Sequence, residues 1–263
     1  MISLFIHWHP NPEIFNIGGF GIRWYGLLFA MGFLFGYIIM QKIFQREQIP
    51  QKTLDRLSIY MLIGTVVGAR LGHCFFYEPA YYISHPFEIL NLRQGGLASH
   101  GAAIGILLSL WFFSQKEKKP FSWIVDRIVI VVALAGFFIR MGNLMNSEIY
   151  GAITNVPWAF IFDNVDNNPR HPSQIYESLT YLLLFALLFW MYFKRNASEK
   201  PYLLFGVFLI GCFGFRFLVE FIKDVQVDFE RNMFLYMGQW LSIPFILAGI
   251  YFVTRKTNTT TKI

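Results

Sequence analysis

Long apolar runs separated by short polar or basic stretches repeat along the whole chain. They fall at about 22–44, 57–77, 97–113, 123–145, 172–193, 202–222 and 237–253. Roughly 20 apolar residues in a helix rising 1.5 Å per residue cross the ~30 Å hydrocarbon core of a bilayer. The pattern predicts an all-α polytopic membrane protein with about seven transmembrane helices, forming a single integral membrane domain over 1–263. Residues 1–21 are mixed and punctuated by Pro and Gly, which reads as an N-terminal arm lying outside. Residues 146–171, rich in Asn, Asp and Pro, read as an external loop, and 254–263 as a cytoplasmic tail.

Composition agrees. The chain is 55% hydrophobic and only 14% charged, with a mean hydropathy of +0.45, whereas soluble domains carry about 25% charged residues. A net charge of +6 would suit nucleic acid if the basic residues clustered. They sit instead in short inter-span loops, where they act as topology signals beside anionic lipid, so membrane lipids and no nucleic acid are the expected partners. The loops after the first, third and fifth runs, together with the tail, hold thirteen Lys and Arg, against five on the other side. The positive-inside rule then places the N-terminus outside and the C-terminus in the cytoplasm. Cys74 and Cys212 lie inside apolar runs, so neither a disulfide nor a metal site is expected. The first ten residues lack the basic start and small-residue cleavage site of a secretory signal.

The segment Phe137–Gly151 breaks the pattern. Arg140, Asn143 and Asn146 recur at i, i+3 and i+6, so a continuing helix puts them roughly on one face, and Glu148 follows directly. An ionisable group at a span end is expensive and points to function by default, although a helix end that caps itself and snorkels into headgroups has similar composition. Arg127, near the cytoplasmic start of its span, is explained by snorkelling. Arg70, Arg140 and Arg216 lie deeper, about 20, 25 and 21 Å along their spans. Tyr25, His100, Gln174, Glu177 and Gln239 fall at the outer ends of the remaining spans. Every unusual polar group thus belongs to the outer third of the membrane, as one site open to the outer leaflet requires.

The individual groups admit bland readings too. His100 lies among Gly101, Ala102, Ala103 and Gly105, small residues that let helices approach; it is either a structural histidine or a group that moves a proton near neutral pH. Arg216 and Glu220, at i and i+4, can neutralise each other. His171–Glu177 looks like a helix start with Pro172 at its first position, and capping accounts for most of it. Ile22–Gly26 suits an interfacial aromatic anchor. There is no Gly-rich phosphate loop, metal-ligand spacing or Ser-His-Asp set, and no cofactor is expected. A transporter would need polar groups near the midplane and usually a repeat; neither is visible. Guanidinium groups bind phosphate bidentately, so arginines with a histidine suggest chemistry on a phospholipid.

Six blocks then coincide with a known family. They are Arg23–Gly26, Gly95–Gly101, Arg140–Glu148, His171–Glu177, Arg216–Phe221 and Met237–Pro244. In order and content this set resembles the bacterial prolipoprotein diacylglyceryl transferases. The resemblance implies transfer of diacylglycerol from phosphatidylglycerol to the lipobox cysteine of a preprolipoprotein signal peptide. It also implies release of glycerol 1-phosphate, in the bacterial cytoplasmic (inner) membrane. Carried over by motif, the important positions are Tyr25, His100, Arg140, Asn143, Glu148, Gly151, Arg216 and Glu220. The expected roles are His100 as base, Arg140 and Arg216 stabilising the leaving phosphate, Asn143 and Tyr25 positioning the headgroup, and Glu148 and Glu220 holding the arginines. Asn146, Arg70 and Gln239 join the expected substrate contacts by depth. The family usually has Gly where this chain has Ile139 and Ala102, changes in packing space that leave the ionisable groups alone.

Overall fold

A computed structural model describes residues 5–17, 20–91, 96, 98–224 and 233–256. Gly95 and Leu97 of the histidine block, Arg93, Arg231 and most of the expected cytoplasmic tail lie outside the described residues. Three short strands, β1 (Ile6–Trp8), β2 (Glu13–Ile17) and β3 (Phe20–Arg23), precede α1 (Trp24–Arg46). Then come α2 (Gln51–Phe76), α3 (Pro79–Ser84), α4 (Ser99–Lys116), α5 (Phe121–Met145), β4 (Phe160–Phe162) and β5 (Pro169–Arg170). The chain continues with α6 (Ser173–Arg195), α7 (Leu203–Val219) and α8 (Met237–Thr254). Among the described residues, the seven long helices coincide with the seven apolar runs to within about six residues.

By length and composition, six of them can cross a membrane: α1, α2, α5, α6, α7 with a short 3-10 turn to Ile222, and α8. The chain is therefore a multi-pass, mainly helical membrane protein. The expected third span, α4, is an 18-residue helix that stands outside that group, because polar pairs at its ends, Ser99-His100 and Gln115-Lys116, dilute its apolar middle.

Two compact units divide the chain, Met40–Val125 and Met1–Ile39 with Asp126–Ile263. In the first, α2 and α4 meet glycine to glycine. A Cβ on Gly72 would lie 2.6 Å from the Cα of Gly101, and one on Gly105 would lie 2.9 Å from the Cα of Gly68. Lipid tails offer no hydrophobic drive for helix pairing, so close backbone packing supplies it. Leu54, Leu57, Leu110 and Phe113 fill the buried end of this pair.

In the second unit, α5 is the most buried of the spanning helices, with Ile128, Val129, Ile130 and Ala133 inside. Its partners pack through small residues and rings. Gly32 of α1 rests on Ala135, Phe35 stacks on Phe138 at 5.7 Å, and Phe213 of α7 stacks on Phe245 of α8 at 4.3 Å. The Asp126 carboxylate accepts from the backbone N–H groups of Tyr202 (2.6 Å) and Phe205 (2.8 Å), satisfying donors that the start of α7 cannot pair itself. Arg127 next to it is buried, with its guanidinium 5.9 Å from the Tyr192 ring. The snorkelling reading of Arg127 fails: at this position the side chain turns into the helix packing and not towards water.

The N-terminal arm has more structure than its sequence suggested. β1 runs parallel to β4, with Ile6 opposite Phe160 and Trp8 opposite Phe162, and β4 runs antiparallel to β5. Trp8, Phe160 and Phe162 pack on Leu144 at the end of α5, and the Trp8 indole donates to the Leu144 carbonyl at 3.0 Å. This small sheet braces the place where α5 ends and the polar segment begins.

Candidate active site

The turn after α5 is strained and heavily braced. Ser147 (φ 53°) and Ile149 (φ 57°) are both left-handed, flanking Glu148. That conformation is costly for any residue with a side chain and most of all for a β-branched one. Four hydrogen bonds hold it. Ser147 N–H donates to Leu144 O (3.1 Å), Glu148 N–H to Asn143 O (3.0 Å), Gln174 Nε2 to Glu148 O (2.7 Å) and Ser173 Oγ to Ile149 O (2.8 Å). The first turn of α6 is therefore not mainly a cap. Pro172 is the residue before the helix, no side chain caps it, and the buried Ser173 and Gln174 lock the backbone around Glu148.

This bracing turns the Glu148 carboxylate inward. Asn143 Nδ2 (2.8 Å) and Asn146 Nδ2 (3.2 Å) both donate to its Oε1. Asn143 then accepts from Arg140 Nη1 through Oδ1 at 3.1 Å. Glu148 thus reaches Arg140 only through Asn143, and the direct carboxylate partner is Glu177 of α6, whose Oε2 lies 2.7 Å from Arg140 Nε. The other oxygen of Glu177 faces Lys223 Nζ at 2.8 Å. Glu177 and Lys223 are both buried. Burial lowers the pKa of Lys223 from the ordinary lysine value, and the Glu177 charge opposes that shift. Glu177 was passed over in the sequence as part of a helix start. Its signal was there: a carboxylate inside an apolar run demands a partner.

Gly151 admits this arrangement. Its N–H donates to His171 O at 2.9 Å, its backbone bridges to Lys223, and a Cβ there would lie 2.6 Å from His171 Cβ and 2.7 Å from Ile222 O. Only glycine lets the two strands of backbone pass so closely. Beside it, Arg170 pairs with Asp166 (2.6 Å) and Asp224 (2.8 Å). This arginine holds the Asp166 carboxyl down at about 2.

Arg216 of α7 shares a small cavity with Glu177, Thr180, Tyr181, Cys212 and Phe215. It has no hydrogen bond or ion pair among the described residues, and the expected pairing with Glu220 does not form there. Glu220 turns instead to the start of α8, where a Cβ on Gly238 would lie 2.5 Å from its carboxyl carbon. Cys212 lines the cavity, with its Sγ 3.5 Å from the Tyr181 hydroxyl. Tyr25 of α1 lays its ring on Gly142, within electrostatic reach of Glu148 and Arg140. Gln239 pins α8 to α7, donating to Phe217 O at 3.3 Å and accepting from Tyr236 N–H at 3.0 Å.

Two expected residues belong to the other unit. His100 is exposed in the first turn of α4. Arg70 is buried and donates to three carbonyls, Ile89 (2.9 Å), Gly96 (3.3 Å) and Glu88 (2.7 Å), with Tyr82 under its guanidinium at 5.1 Å. Its visible work is to tie the segment after α3 onto α2.

These features define a polytopic membrane protein with a partly buried arginine–carboxylate centre, in which one arginine is fixed by protein partners and a second has none among the described residues. The model of the prolipoprotein diacylglyceryl transferase family matches residues 12–255. Phosphatidylglycerol–prolipoprotein diacylglyceryl transferases from several bacteria are similar over nearly the full length. The Bacteroides fragilis protein is 46% identical, covering 96% of this chain and 95% of its own. The Chloroherpeton thalassium protein is 46% identical (95% and 94%), and that of Tolumonas auensis 47% (93% and 95%). The chain belongs to the prolipoprotein diacylglyceryl transferase family, as the six sequence blocks implied, and is a membrane-bound transferase.

Proposed function

We propose that this protein moves the diacylglyceryl group of phosphatidylglycerol onto the lipobox cysteine thiol of a preprolipoprotein, in the first step of lipoprotein maturation. The thiol sulfur attacks the glyceryl carbon that bears the phosphate. A carbon–sulfur bond forms, the carbon–oxygen bond breaks, and its electron pair leaves on glycerol 1-phosphate. A free thiol, with a pKa of about 8.5, is only a few per cent ionised at pH 7, so a base that takes its proton speeds the attack. His100 is assigned that part. Arg140 and Arg216 meet the growing charge on the leaving oxygens, Glu177 and Asn143 orient Arg140, and Tyr25 and Asn146 line the headgroup's place. Glu148 orders the two asparagines. Arg70 and Gln239 are assigned to holding the fold and not to contacting lipid.

The observation that carries this reading is the unequal state of the arginines. Arg140 is held by Glu177 and Asn143, while Arg216 has no protein partner among the described residues. A pre-oriented donor beside an unpaired one suits an anion that arrives with the substrate. The reaction belongs to the outer leaflet of the bacterial inner membrane, with the arm and 146–171 on that side. The test is purified protein with phosphatidylglycerol and a lipobox peptide. Release of glycerol phosphate matched by thioether formation is expected; hydrolysis of lipid without thioether would reject the reading.

A further inference from the structure

We infer that Lys223, through Glu177, is a positioning residue for Arg140: it keeps one edge of that guanidinium open for a phosphate oxygen. The inference deepens the proposed function and rests on Arg140 meeting the phosphate.

A carboxylate beside a lone arginine tends to take it side-on, with two parallel hydrogen bonds. Glu177 does not. Its Oε2 takes only Arg140 Nε at 2.7 Å, and its Oε1 faces Lys223 Nζ at 2.8 Å. Arg140 Nη1 goes to Asn143 at 3.1 Å, and Nη2 has no partner among the described residues. The lysine thus occupies the carboxylate oxygen that would otherwise swing round to close off Nη2. Glu177 shares its single negative charge between two cations, so it does not fully neutralise Arg140.

The backbone delivers Lys223 to this point. Ala152 N–H donates to Ile222 O at 2.8 Å, Gly151 bridges to Lys223, and a side chain on Gly151 would strike Ile222. Asp224, the next residue, is held by Arg170 at 2.8 Å. A glycine in one segment therefore sets the reach of a lysine in another, and the lysine sets how Glu177 shares Arg140.

Lys223 can lose its proton, and an arginine in its place cannot. The charged groups acting on it are Glu177 from α6, Arg140 from α5 and Glu220 from the turn after α7, with Asp224 and Arg170 alongside. Burial lowers its pKa, so the sign is clear: raising the pH removes the ammonium, frees Glu177 Oε1 and lowers turnover.

The test compares full-length Lys223→Met, Lys223→Arg and Arg140→Lys proteins. All are matched by size exclusion in detergent, with kcat, KM for phosphatidylglycerol and the alkaline limb of the pH profile measured. Lys223→Met is expected to lose about 10²-fold in kcat/KM, the scale of a slight misplacement of a catalytic group. Lys223→Arg should recover most of that loss and move the alkaline limb to higher pH. Wild-type turnover in Lys223→Met, or an unmoved limb in Lys223→Arg, overturns the inference. If Lys223→Met does not fold, the limb of Lys223→Arg decides alone. Full activity in Arg140→Lys would instead remove the reading on which the inference rests.

Discussion

Glu177 Oε2 lies 2.7 Å from Arg140 Nε, joining the first turns of α6 to the end of α5 in an ion pair whose carboxylate is buried. Breaking such a pair by removing one partner leaves an uncompensated charge, which is far costlier than losing a surface pair. The contact also fixes which edge of the guanidinium faces the site. Several outcomes depend on that geometry.

Arg140→Lys keeps the charge and should still lose about 10²-fold or more in glycerol phosphate release, the scale of removing one donor from a charge-stabilising site. A lysine cannot serve Glu177, Asn143 and a phosphate oxygen from one planar fork. Arg195→Lys, at the exposed end of α6, should match the unsubstituted protein. Equal rates for the two variants would reduce Arg140 to a membrane-edge anchor.

His100→Asn should fold and bind phosphatidylglycerol vesicles normally while thioether formation slows by about 10²–10⁴-fold, the usual range for losing a general base. Turnover close to normal at neutral pH would assign His100 to helix packing beside Gly101.

Gly105→Val should destabilise the α2–α4 pair, because the added carbons meet the Gly64 carbonyl and the Cα of Gly68. Overpacking of this kind typically costs about 1–3 kcal/mol. Gly26→Ala, where a Cβ meets nothing within 4 Å, should leave the melting temperature in detergent unchanged or raise it slightly. The comparison fails if both variants melt alike.

A reporter fused after Lys262 should face the cytoplasm, and one inserted at Asn167 the outside. The basis is the bias of Lys and Arg between alternate loops. The reverse pattern would move the reaction to the other leaflet.

The sequence by itself determined the helices and the kind of protein. Apolar runs long enough to cross a bilayer mark themselves, since lipid leaves backbone polar groups no partners outside a helix. The six blocks identified the family because residue identity and order survive without coordinates. Arg140, Asn143, Asn146 and Glu148 were legible as a group because they are neighbours in one segment. The tertiary structure alone decided who holds whom. Glu177 and Lys223 come from separate segments; Glu177 shares its carboxylate between Arg140 and Lys223, and Lys223 reaches it where Gly151 lets two backbones close. Arg216 and Glu220, one turn apart and paired on paper, part company because α8 places Gly238 where the carboxylate can rest. Arg70 carried the same charge as Arg140 and Arg216 at a similar depth, yet its guanidinium donates to three carbonyls. The physical reason is common to all of these. Burial in a membrane makes an unpartnered polar group costly, and whether a group finds a partner, and which one, is set by the packing of distant helices, not by spacing along the chain.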